Sequence, residues 1–278
     1  MTQPPNTIII TEASFNADNR TPKRFCGFKD DPGLNGALHG SVYSTRTKSL
    51  LYTATARSGS AIEIGGHCGV DTLHLADYFH KVHVFEPSSK NLACLKYNIE
   101  MNGVGNIETH QEAVSDHEGI ASFYLCPDSN SVCHSLTKNL AGNNPSHKTI
   151  KVTTLDSAFP SLTDCTFLHI DAEGHDIKVL LGAKQFLKRQ GQKPVIIMEF
   201  APNMLKQSDS SVSELVEFLK EFNYCVYTDA GNNLSPISYF CLGELYNLWK
   251  DTCCGWLDLI LVPIGQNFGI FPGHPKIQ

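Results

Sequence analysis

The sequence predicts an α/β protein: a doubly wound, mostly parallel seven-stranded sheet with an N-terminal cap and an extra β-hairpin. Three observations predict it. From Ser60 onward short β-type runs alternate with stretches of helical periodicity, the pattern of a parallel sheet covered on both faces. The first run ends in a glycine-rich turn that opens a helix, AIEIGGHCGVDT at 61–72. Two further runs, 119–125 and 149–155, interrupt the alternation and read as an antiparallel pair.

Taken in order, residues 1–60 mix Thr, Asn, Gly and Pro with short apolar pieces, as in DDPGLNGALHGSVY. They read as a loop-rich cap that ends in a helix near Lys48–Arg57, and residues 61–278 as the main domain. Core strands are predicted at 61–64, 82–85, 106–110, 166–170, 194–199, 225–228 and 257–262. Between them, SSKNLACLKYNIEMN places Leu92, Leu95 and Ile99 on one helical stripe, and DIKVLLGAKQFLKRQ does the same with Ile177, Leu180 and Leu187. VSELVEFLKEF follows a Ser-x-Ser-Glu cap signal and repeats Val212, Leu215, Val216 and Leu219. The polar excursion 126–148 is long for a compact domain, and excursions of that kind are usually functional or mobile. Nothing in 235–256 matches a motif.

Bulk properties exclude several classes. With 278 residues, 41% hydrophobic and 18% charged, the chain can bury a sizeable core. A formal net charge of -6 without any basic run offers no footprint for nucleic acid or an anionic membrane, so a small-molecule or glycan partner fits better. No apolar stretch approaches the roughly 18 residues of a membrane span, and MTQPPNTIII lacks a signal-peptide pattern. The cytoplasm is the default compartment. Ten cysteines are dispersed without a CxxC pair, which fits buried apolar residues better than structural zinc. Cys126 and Cys133 beside His134, and the Cys253–Cys254 pair, leave a partial metal cluster or a disulfide open; no metal is expected.

The ligand of the glycine turn follows from charge. Gly65, Gly66 and Gly69 supply a tight turn after the first strand, and Glu86, followed by Pro87, stands where an acid would bond ribose hydroxyls. A dinucleotide needs G-x-G-x-x-G so that backbone and helix N-terminus meet a pyrophosphate. Here the order is Gly-Gly-His-Cys-Gly, and Glu63 precedes it by two positions. A carboxylate there repels phosphate and suits an ammonium or sulfonium ion, which favours S-adenosylmethionine over NAD. Glu112 and Ala113, in QEAVSD, provide an adenine edge at the third strand. Singly, each feature has a plainer reading: a ligand-free turn, a capping acid, a solvated strand end. Their combination carries the assignment.

These residues resemble the FkbM-type S-adenosylmethionine-dependent methyltransferases of the Rossmann-like class. The resemblance rests on EIGGHCG, VFEPSSKNLACLKYNIEMN, QEAVSDHEG with ASFYL, VTTLD, FLHIDAEGHDIKVLLGA and IIMEF, in family order over about residues 60–200. The family's first motif usually reads D-x-G-A-N-x-G; this chain has Glu63, Gly66, His67 and Cys68 at the corresponding places. The resemblance implies a seven-stranded methyltransferase fold, S-adenosylmethionine as cofactor, and O-methylation of a sugar, polyketide or peptide-derived hydroxyl. It also implies cofactor contacts from Glu63, Gly65, Gly66, His67, Gly69, Glu86, Pro87, Glu112, Ala113 and Asp171.

Chemistry is expected in HIDAEGHD, at the end of the fourth strand, where Asp171, Glu173 and His175 are the acid–base candidates. Each has an alternative: Asp171 orienting the cofactor amine, Glu173 capping the next helix, His175 lying on a first-turn surface. Glu199 closes the fifth strand on the same rim, facing the acceptor or joining Asp171 around a metal. His134 and Ser135 from the excursion, and Tyr43 from the cap, are substrate-side candidates, with exposed loop positions as the plain alternative. His39, His110 and His117 have no visible partner, and Trp249 and Trp256 read as core. Two other functions stand beside methyl transfer: an NAD-dependent oxidoreductase, and a cofactor-binding module without turnover.

Overall fold

The computed structural model describes residues 2–13, 23–32, 45–56, 59–142, 145–229, 234–252 and 255–266. The chain begins with two antiparallel strands, β1 (Thr7–Ala13) and β2 (Lys23–Phe28), followed by helix α1 (Thr45–Thr55). Then come β3 (Ser60–Ile64), α2 (Val70–Leu75), β4 (Lys81–Phe85), α3 (Ser89–Met101), β5 (Ile107–His110), β6 (Ala113–Val114) and β7 (Gly119–Leu125). The excursion holds two short 3-10 turns, Asp128–Cys133 and Lys138–Ala141, before β8 (Ser146–Thr153) and α4 (Leu155–Ala158). The remainder is β9 (Cys165–Ile170), α5 (Asp176–Leu181), α6 (Lys184–Arg189), β10 (Val195–Phe200), α7 (Pro202–Gln207), α8 (Val212–Phe222), β11 (Tyr224–Asp229), β12 (Leu234–Ile237), α9 (Tyr239–Trp249) and β13 (Leu257–Pro263).

The main sheet has eight strands, not the expected seven, in the order β12-β11-β13-β10-β9-β3-β4-β5. The seven expected strands form to within one residue at each end. The eighth, β12, lies at an edge and contains Pro236, whose missing N–H is tolerated there and disguises the strand in sequence. From β5 to β10 all neighbours are parallel, whereas β13 runs antiparallel to both β10 and β11. Strand order reverses at β3, flanked by β4 on one side and β9 on the other, so the crevice of a doubly wound sheet opens there.

The expected hairpin is β7 against β8, with β6 added in parallel to make a small second sheet. One expected helix is two: α5 stops at Gly182, whose Cα hydrogens face the Ser115 carbonyl too closely for any Cβ, and whose own carbonyl accepts the Asp156 N–H. That bond draws the chain out of the helical ladder. By contrast, α8 keeps the capping box read from sequence, with Ser211 and Glu214 exchanging bonds.

Apolar side chains cover both faces. On one, Ile62, Ile64, Phe85 and Ile170 pack with α5, α6 and α8; on the other, Ala61, Val82 and Phe167 pack beneath Leu51 and Tyr52 of α1. The N-terminal strands are anchored as well: Asn98 of α3 accepts from the Cys26 N–H and donates to the Cys26 and Cys68 carbonyls. All eight described cysteines are free; Cys253 and Cys254 lie outside the described residues. Among the described residues no helix is long and apolar enough to cross a membrane.

Candidate functional site

At the β3/β4/β9 crevice the glycine turn is shaped by backbone demands. Gly65 adopts φ 88 and a Cβ there would strike the Asp171 carbonyl, so strand ends β3 and β9 meet only because this residue is glycine. The N–H groups of Gly65 and Gly66 both donate to the Phe85 carbonyl. His67 has φ 45, the left-handed region that Asn and His enter more readily than most residues. This explains why His stands where the resembled family usually has Asn.

The cleft is lined by Gly65, His67, Glu86, Pro87, Glu112, Ala113, Asp171, Glu173, His175 and His134, all expected from sequence. Glu86 is fixed from both sides: the His67 N–H donates to one oxygen at 2.8 Å and the Ser88 N–H to the other at 2.7 Å. Burial nevertheless pushes its carboxyl up to about 7, against the pull of His67 and those two bonds. Asp171, at the end of β9, has no described donor to its carboxyl; burial raises it to about 6, opposed by His169. Glu173 sits at φ 48 and is pushed far above the carboxylate range, by burial first and then by Asp171. The loop carrying both is tied by Asp176, which accepts the Ala172 and Gly174 N–H groups at 3.0 and 3.1 Å. His175 is lowered to about 4 by burial and is neutral at pH 7, with Nε2 3.2 Å from Thr137 Oγ1. His134 is likewise held at about 4 by burial, and its Nδ1 accepts the Cys126 N–H.

Other expected residues stand apart from the cleft lining. Glu63 alternates onto the face of Ala61, under α1, where Thr72 donates to it and His169 Nδ1 lies 3.6 Å away. The acids on the cleft lining are Glu86, Glu112, Asp171 and Glu173, and Glu63 is not among them. Gly66 packs against Val84 and Gly69, at φ 93, precedes α2; both shape the turn from behind. Ser135 is buried, donating to the Glu173 carbonyl at 2.9 Å. Glu199 lies on β10 opposite Asp258, with Oε2 buried and unpartnered among the described residues. Tyr43 lies outside the described residues.

Several participants escaped the sequence. Asp31, fully buried, accepts from both the N–H and the Oγ of Ser131, and Ser131 Oγ lies 2.6 Å from His67 Nε2. Asn91 donates to the Ser131 carbonyl at 3.3 Å. These bonds pin the first 3-10 turn over the glycine turn, but they join residues up to 100 positions apart and leave no local pattern. Behind the cleft, Lys48 of α1 holds Asp71 with bonds of 3.0 and 2.9 Å. Burial opposes charge on Asp71, yet Lys48 brings it down to about 2.

A nucleoside carrying a positive charge and no phosphate fits this cleft. Four carboxyl groups line it and no Lys or Arg does; Glu173 is neutral at pH 7 and Glu86 partly so, and the charge left on Asp171 and Glu112 repels a pyrophosphate and attracts a sulfonium.

The fold and crevice define a doubly wound α/β protein with an acid-lined cleft at its switch point. The family follows from sequence comparison: a model of the methyltransferase FkbM domain matches residues 47–226, and the chain belongs to that family. Its cofactor is S-adenosylmethionine, and a methyltransferase family decides against the oxidoreductase alternative. No curated protein matches in sequence. Among solved structures, an FkbM methyltransferase from Methylobacillus flagellatus is 15% identical, with 82% of this chain and 52% of that chain covered and a TM-score of 0.45. An O-methyltransferase from Bacillus cereus in complex with SAH is 15% identical, covering 82% and 86% with a TM-score of 0.44. An rRNA methylase from Streptococcus thermophilus is 12% identical, covering 80% and 97% with a TM-score of 0.47.

Proposed function

We propose that this chain moves the methyl group of S-adenosylmethionine onto a hydroxyl of a sugar, polyketide or peptide-derived small molecule, in the cytoplasm. The observation that carries the hydroxyl assignment is Asp171: a carboxyl on the cleft wall, without a donor among the described residues, pushed up to about 6 by burial. An alcohol must lose a proton as it is methylated, and a base poised just below neutral pH is suited to take it.

The cofactor, when bound, supplies an electrophilic methyl on a positively charged sulfur. The protein's part is placement and proton handling. Glu86 has one lone pair on each oxygen committed to backbone N–H groups, leaving the others for ribose hydroxyls. Glu112 and Ala113 border the adenine side, while Gly65 and His67 form the floor. Asp171 accepts the acceptor's proton, and neutral His175 and Glu173 relay or orient it. Glu199 and His134 flank the acceptor, and Ser135 holds the Glu173 backbone in place.

The test is adenosylhomocysteine release with matched hydroxyl and amine acceptors, on sugar, polyketide and peptide scaffolds. Release with the hydroxyl member of a pair, lost in Asp171→Asn, supports the reading. Turnover confined to amines and indifferent to Asp171 overturns it.

A further inference from the structure

Outside the cleft lining, at the edge of the main sheet, two neighbouring parallel strands bring three metal-ligating side chains together. His83 of β4 stands opposite Glu108 of β5, and His110, two residues on, projects from the same face. His110 Nε2 lies 3.5 Å from His83 Nδ1. The Glu108 oxygens lie 3.8 Å from His83 Nδ1 and 3.9 Å from His110 Nε2.

We propose that His83, Glu108 and His110 bind a divalent transition ion of the zinc type, with solvent as the fourth ligand. A tetrahedral ion bonded at about 2.0–2.1 Å keeps two nitrogens roughly 3.4 Å apart, close to the spacing found here without an ion. The same spacing is long for a hydrogen bond. Ring packing fixes the geometry: His110 stacks on Phe85 with centroids 4.5 Å apart, and His83 stands edge-on to Phe159 at 4.8 Å. Only Glu108, half exposed at 50%, has to close in, by about the half-ångström that separates its contacts from ligand spacing.

The donor set also selects the ion. Two imidazoles and one carboxylate suit zinc, cobalt, nickel or copper, whereas calcium and magnesium prefer oxygen throughout. The competitor is Lys81, 2.9 Å from Glu108 on the surface, and such exposed pairs are worth only about 0–1 kcal/mol. Glu63, Asp71 and His169 also cluster, but Lys48 already occupies Asp71 and Thr72 occupies Glu63, so that group is a closed ion network. At the edge site, the ion would fasten β5 just before Glu112 and Ala113.

Titration of the full chain tests this, with zinc followed by calorimetry and cobalt by its visible absorption. Wild type should take up one equivalent, with four-coordinate cobalt bands free of thiolate charge transfer. Glu108→Gln and His110→Gln should each weaken binding by at least about tenfold, the lower end of what losing even an outer partner costs. Glu108→Gln alters an exposed residue, so its circular dichroism and ion-free melting temperature should match wild type. Equal affinity in wild type and both variants overturns the proposal, as does a thiolate band that disappears when Cys126 and Cys133 are replaced.

Discussion

The two walls of the cleft are built from the same kind of residue and behave differently. On the glycine-turn wall, Glu86 receives a backbone N–H on each oxygen, and the turn's own N–H groups converge on the Phe85 carbonyl. On the wall at the end of β9, Asp171 has no described donor to its carboxyl. A carboxylate clamped by backbone amides is a fixed acceptor that positions a ligand. One left without donors in a buried place is a proton acceptor whose affinity is set by its surroundings. On the proposed function, the difference separates holding from chemistry.

The sharpest way to break that division is Asp171→Asn. Turnover, followed as adenosylhomocysteine release, should fall by about 10²- to 10⁴-fold, while calorimetry shows cofactor affinity within a few-fold of wild type. Comparable losses in both would move Asp171 to the holding wall. Glu86→Gln should do the reverse, weakening cofactor binding by about 10- to 100-fold, the worth of charge-assisted bonds at about 1.5–3 kcal/mol.

A pH profile sharpens the comparison without mutation. With Asp171 as the proposed base, only its ionised form takes the proton, so the rate should rise with pH through about 6 and level off above it. The rising limb should be absent from the residual rate of Asp171→Asn. The smallest effect is expected for His67→Asn. Asn tolerates the left-handed backbone and retains the N–H to Glu86, so the losses are the Ser131 contact and the 3.6 Å approach to Asp31. Melting should show a loss of about 1 kcal/mol, and a much larger loss would place His67 among the groups that hold the turn itself.

Behind the glycine turn, the Lys48–Asp71 pair ties α1 to α2. Lys48→Met should cost roughly 3 kcal/mol in denaturant unfolding, because it strands a largely buried carboxylate. The depressed Asp71 value means that its contribution is present above the unfolded value near 4 and is lost as pH falls from there towards 2. The acid limb of the stability curve should therefore flatten in Lys48→Met.

Much of this was legible beforehand. Strands such as VHVF and PVIIME announce themselves by apolar β-branched runs, and the glycine turn and Glu86 lie within 22 residues of one another in a local strand-turn-helix-strand unit. The eighth strand was hidden because Pro236 argues against a strand everywhere except an edge, and edge status belongs to the assembled sheet. The break between α5 and α6 was hidden because the bond that draws the Gly182 carbonyl away comes from Asp156, in a separate segment of the chain.

Sequence by itself determined the doubly wound framework, the glycine turn, the acid that ends β4 and the family. Those depend on side-chain periodicity and on contacts between near neighbours. Tertiary structure decided that Glu63 faces α1 instead of the cleft, that Asp31 reaches Ser131, and that His83, Glu108 and His110 converge on one edge. The direction of a buried polar side chain depends on what packs against it, and that partner is supplied by distant segments only once the sheet has closed over them.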